Sequence, residues 1–64
     1  MDLIKFLKIM EMEERAAYAK YDWAMDQTED ESLKAIFKRL RDEEGVHADY
    51  LDYERTRLEK LLKE

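Results

Sequence analysis

Apolar residues along the chain fall into two stretches, each repeating at the helical period. At about 100° per residue, Leu3, Ile4, Leu7, Met10, Ala17, Tyr18, Tyr21 and Met25 share one stripe in the first half. Leu33, Ile36, Phe37, Leu40, Leu51, Leu58, Leu61 and Leu62 do the same in the second. Neither half shows the strict alternation of a strand. Between the stripes stands Thr28-Glu29-Asp30-Glu31, which has capping-box form. The Thr28 hydroxyl can accept from an orphan amide, and Glu31 can reach back to the Thr28 amide. An acidic first turn also suits the positive end of a helix dipole. The pattern predicts one helix from about Leu3 to Gln27, a turn near Thr28, and a second helix from about Glu29 to Leu62. So short a connection makes the helices antiparallel neighbours. Residues 1–64 read as a single helical hairpin.

Phe6 and Ile9 lie off the main line and widen the apolar surface of helix one beyond a single seam. A broad stripe suits more than one helical partner. A chain of 64 residues buries too little apolar surface to be stable easily, so a metal, a disulfide or self-association is expected. There is no cysteine, which removes disulfides, thiolate metal sites and a cysteine nucleophile. Metal and self-association remain. The predicted fold class is all-α: an antiparallel two-helix hairpin that self-associates into a four-helix bundle.

Composition strengthens the helical reading. There is no proline and a single glycine, Gly45; Glu, Lys, Leu, Arg, Ala and Met dominate, all good helix formers. Met10, Met12 and Met25 read as core fillers, and Trp23, off the stripe, as a contact to another protomer. The net charge of −5 is spread along the chain. It disfavours nucleic acid and anionic membrane, which need a basic face, and is compatible with attracting cations. No apolar run approaches a membrane span. The opening MDLIKFLKIM is interrupted by lysines and reads as a helix start, not a signal peptide. An intracellular, cytoplasmic protein is expected.

Charge interrupts the stripes at particular places. Glu14 lies near the centre of the helix-one stripe, where an unpaired carboxylate is costly to bury. Glu11 lies roughly 60° away, and Glu44 and His47 straddle the helix-two line within about 40° of it. Glu54 approaches that line, and Glu43 sits further out. In an antiparallel hairpin turning near Glu29, facing residues have numbers summing to roughly 58. Glu14 and Glu44 meet that sum, and His47 is one turn further from the loop. Three potential ligands therefore converge on one level of one interface.

Carboxylates and imidazole suit Fe, Mn or Zn. Two copies would supply four carboxylates and two imidazoles, so that four negative charges balance two divalent cations. One Glu from one helix and a Glu-x-x-His from its neighbour are half of the ligand set of a di-iron carboxylate site, and a second copy would complete it. Glu11 is the rival helix-one ligand, with Tyr18 seven residues beyond it. Tyr21 stands seven residues beyond Glu14, on the same face, where its hydroxyl could order a ligating carboxylate.

The stretch RDEEGVHADYL, with Glu14 and Tyr21 upstream, resembles the ferritin-like superfamily. It looks most like the encapsulated ferritins, two-helix protomers that pair around a di-iron centre, and is also similar to rubrerythrin-like domains. The resemblance covers roughly Glu11 to Leu51. It implies Glu14, Glu44 and His47 as iron ligands, with Tyr21 in the place of a nearby tyrosine and Glu13 on the path by which iron reaches the site. The implied activity is a ferroxidase that oxidises Fe(II) with dioxygen in iron storage or detoxification, two iron ions per homodimer, with Mn or Zn as other occupants. The implied partners are further copies in an even-numbered oligomer and an encapsulin shell, with no nucleic acid and no membrane. No targeting peptide for such a shell lies within these residues. Two other readings stand beside this one: rubrerythrin-like peroxide reduction at the same centre, and a non-enzymatic helical oligomerisation module.

Overall fold

The computed structural model describes residues 2–63. Two antiparallel α-helices account for nearly all of them: α1 (Leu3–Asp26) and α2 (Glu31–Lys63). The long axis of the rod they form is 52 Å, against 17 and 12 Å across. No helix among the described residues is long and apolar enough to cross a membrane.

Each helix begins on an aspartate. The Asp2 carboxylate accepts from the Lys5 amide at 2.8 Å, and Asp30 accepts from the Leu33 amide at 2.8 Å. In both, a short acidic side chain satisfies an otherwise orphaned N–H. The expected Thr28 capping box does not form. Thr28 instead accepts from the Asp30 amide at 3.1 Å, which closes the connection and hands the cap to Asp30. Glu31 then becomes the first residue of α2, too close to the cap to reach back to it. Aspartate caps at least as well as threonine, and the later start leaves Gln27 to Asp30 as the link. At the end of α1 the Gln27 amide donates to the Ala24 carbonyl at 3.0 Å, a final tightened turn.

The helices meet along a seam spaced alternately by three and four residues. On α2 it runs Phe37, Arg41, Glu44, Ala48, Leu51, Arg55; on α1 it runs Leu7, Glu11, Glu14, Tyr18, Tyr21, Met25. This is the 3.5-residue repeat that keeps two helices in register along their length. Tyr21 and Phe37 stack across the seam with ring centroids 6.2 Å apart. Ala48 is fully buried, and it alone among the described residues. Arg41 reaches Asp22 at 2.7 Å, and Arg55 reaches Glu11 at 3.3 Å.

A second line with the same spacing lies one position round each helix. On α2 it runs Ile36, Leu40, Glu43, His47, Tyr50, Glu54, and on α1 Phe6, Met10, Glu13, Ala17. Within the hairpin it is only partly covered: Phe6, Ile36 and Tyr50 are exposed, while Met10, Ala17 and Leu40 are half-buried. Met12, expected in the core, is 64% exposed, because it points to the far side of α1 with Trp23.

Candidate metal centre

Glu14 comes from the middle of α1, and Glu44 and His47 come from the middle of α2. One turn of helix separates the last two, so both project from the same face of α2. One potential ligand atom from each of the three lies within 4.8 Å of those of the other two. The sequence expectation that Glu14, Glu44 and His47 converge is met in the structure. Phe6, Met10, Tyr50 and Leu51 surround Glu14 and His47 in a shallow depression on the uncovered face.

Burial is graded across the group. The Glu14 side chain is 21% exposed and that of His47 54%. Glu14 Oε2 is buried and has no hydrogen-bond partner. His47 Nδ1 stands 3.6 Å from that oxygen, beyond hydrogen-bond range, so the contact attracts only when the imidazole is protonated. An orphaned buried carboxylate oxygen costs about 1–3 kcal/mol. The sites where such groups persist are those where something else supplies the missing partner.

The donor set fits a divalent cation. Ionised, the two carboxylates offer only lone pairs and repel each other, and neither can satisfy the other. A first-row metal bound at about 2.0–2.2 Å would meet all three groups once they contract. The His47 side chain, about half exposed, would have to turn for this. Two carboxylates and one imidazole with no thiolate are the ligands of Fe, Mn or Zn.

Glu11, the rival ligand, is committed elsewhere. Its side chain is 15% exposed and is held by Arg15 at 3.0 Å and by Arg55 at 3.3 and 3.4 Å. Burial pushes its pKa up, but the hydrogen bonds and charges of Arg15 and Arg55 outweigh this and hold it below the ordinary carboxylate value. Arg55 also binds Asp52 at 2.8 Å and Glu59 at 2.6 Å, so one guanidinium ties three carboxylates together. Sequence reasoning missed this knot because the register sets Glu11 level with His47 and Ala48, and Arg55, two turns further along α2, reaches it with its long side chain.

The remaining acidic and aromatic candidates lie apart. Glu54 pairs with Arg57 at 2.7 Å on the surface, and Glu43 with Arg39 at 3.1 Å. Glu13 is exposed on the uncovered face. Tyr21 packs its ring on Phe37, and among the described residues no hydrogen bond joins its hydroxyl to Glu14 or Glu44. The ordering contact expected of it is not made within one hairpin.

No protein-family model, no curated protein and no solved structure matches the chain. The reading of the site therefore rests on its geometry and chemistry.

Proposed function

We propose that two hairpins pair through their uncovered faces into a four-helix bundle, and that Glu14, Glu44 and His47 of each bind iron as substrate in a ferroxidase. The observation that carries this reading is the buried, unpaired Glu14 oxygen beside Glu44 and His47, set in an apolar depression that a second hairpin would cover.

Surface area supports the pairing. The chain exposes 5209 Å², whereas a compact monomer of 7.8 kDa exposes about 4,400 Å². The excess, about 800 Å², follows from the 52 × 17 × 12 Å rod shape, which leaves one long face broad enough for a partner's share of a standard interface, also about 800 Å². The 3.5-residue spacing of the uncovered line is that of a helix seam. Pairing would bring two copies of the acidic group together, and four carboxylates would match the charge of two divalent cations.

Each residue has a distinct task. Glu14 and Glu44 supply the negative charge that attracts Fe(II), and their four oxygens per hairpin allow one carboxylate to span two ions. His47 supplies a neutral nitrogen at the mouth of the depression. Once a second hairpin covers them, Phe6, Met10, Tyr50 and Leu51 would exclude water and leave an apolar surround suited to a small apolar oxidant. Two Fe(II) ions give one electron each to dioxygen, which takes up two protons and leaves as hydrogen peroxide. Iron storage or detoxification is the role this chemistry serves.

Fe(II)-dependent oxygen consumption tests the reading. Glu44→Ala and His47→Ala should each abolish it, and unchanged activity in both variants rules the assignment out. Comparing peroxide with dioxygen as oxidant separates this activity from rubrerythrin-like reduction. The same uncovered face supports a second reading, a non-enzymatic oligomerisation module. On that reading, size and melting temperature ignore Fe(II), Mn(II) and Zn(II).

A further inference from the structure

Gly45 immediately follows Glu44, and a methyl group at its Cα would stand 3.3 Å from Cδ2 and Cε2 of Tyr18. That is tighter than an ordinary van der Waals contact, so the Tyr18 ring already fills the space that any larger residue would need. Tyr18 is one turn after Glu14 on α1. The contact therefore joins the two helices directly beside the two glutamates of the candidate centre.

It also lies on the opposite flank of the seam from His47. Arg15, Tyr18, Gly45 and Asp49 line one flank, while His47 lies on the other, with Phe6, Met10 and Tyr50. A second residue of α2, one turn before Gly45, also contacts the Tyr18 ring. The Arg41 guanidinium sits 5.6 Å from the ring centroid and is itself tied to Asp22 at 2.7 Å. Arg15, bridging Glu11 and Asp49, borders the same hollow. A side chain added at residue 45 has to push against this braced ring. The ring, 40% exposed, must give by a few tenths of an ångström; where Arg41 and Arg15 resist that shift, the strain passes to α2 and moves Glu44 and His47 relative to Glu14.

We propose that Gly45 and Tyr18 are a spacer pair that sets the separation and rotation of the helices at the Glu14, Glu44 and His47 group. They are positioning residues and touch no metal themselves. This inference rests on the metal reading of that group. Glycine is otherwise a poor choice in the middle of a 33-residue helix, since it weakens the helix relative to alanine. The weakness is accepted because metal ligands need placement within about 0.5 Å.

The test sets helix stability against metal affinity. Co(II) serves as the probe, because its visible absorption reports coordination, and affinity is read by titration of the full chain. Gly45→Ala raises helix propensity, which offsets the strain of moving Tyr18, so its metal-free melting temperature should change little; Gly45→Val clashes harder and should melt lower. Both should weaken Co(II) binding, by roughly 10- to 100-fold, with Val worse than Ala and with an altered absorption spectrum. Tyr18→Ala should remove the obstacle, so that Tyr18→Ala/Gly45→Ala binds no more weakly than Tyr18→Ala alone. Wild-type binding that Gly45→Ala and Gly45→Val leave unchanged in affinity and spectrum overturns the spacer and spares the metal site. Wild-type protein that binds no Co(II) overturns both.

Discussion

Replacing Glu14 with leucine should make the metal-free protein more stable and the metal-loaded protein no better off. Glu14 sits in the α1–α2 seam with its side chain 21% exposed and one oxygen unpaired. Removing that oxygen recovers about 1–3 kcal/mol of desolvation cost. A leucine in the same place adds on the order of 1–2 kcal/mol by burial, reduced by the part still in contact with water. A gain of about 2 kcal/mol is a fair net figure, and for a domain of this size it raises the melting temperature by about 8–16 °C. Wild type should instead gain from metal, by about 2.7 kcal/mol at one hundred times the dissociation constant. The assay is thermal unfolding of both proteins at one fixed chain concentration, with chelator and with saturating Co(II). With chelator Glu14→Leu should melt higher, and with Co(II) the gap should close or reverse. A variant that melts below wild type in chelator, or that Co(II) stabilises as much as it does wild type, would refute the reasoning.

Other residues give further expectations. The Glu11 carboxylate has its pKa lowered in the folded protein, so its contribution to stability is present above its unfolded value of about 4.5 and is lost as pH falls through the depressed folded value. Arg55→Leu should therefore destabilise at neutral pH, with the difference from wild type closing in acid; a pH series of urea titrations would show it, and a pH-independent difference would count against the Glu11–Arg55 pairing. Ala48, with no exposed surface, has no room to grow: Ala48→Leu should cost about 1–3 kcal/mol by overpacking, measured by the same titrations. Phe6→Lys combined with Ile36→Lys places charge on the uncovered face, and sedimentation should then report single hairpins where wild type reports pairs.

Much of this molecule is written in periodicity. The two stripes are long, glycine and proline are almost absent, and a hairpin with one short link is the simplest way to bury both. Counting along two antiparallel helices was enough to bring Glu14 level with Glu44, because rise per residue is fixed in a helix. The same count was silent on which acid caps α2. Thr28 and Asp30 both have capping chemistry, and only the path of the link decides for Asp30. Rotation about the helix axis was the other weak point. Residue type alone read Met12 as a core filler, yet it faces outward. An angle of roughly 60° from the stripe centre left Glu11 open as a ligand, whereas Arg15 and Arg55 claim it. Tyr21 lies on the predicted face, but its ring is held by Phe37, a contact that a ligand-centred reading overlooked. Gly45 was legible as an oddity, and the Tyr18 ring against it gives the reason.

A titration of the intact chain with Fe(II) or Co(II), with mass measured in solution at each step, puts the account to its most direct trial. It predicts one metal ion per chain, held in a dimer or larger even-numbered assembly, with binding lost in His47→Ala. A chain that remains metal-free at saturating concentrations, or that takes up metal as a lone hairpin, contradicts it.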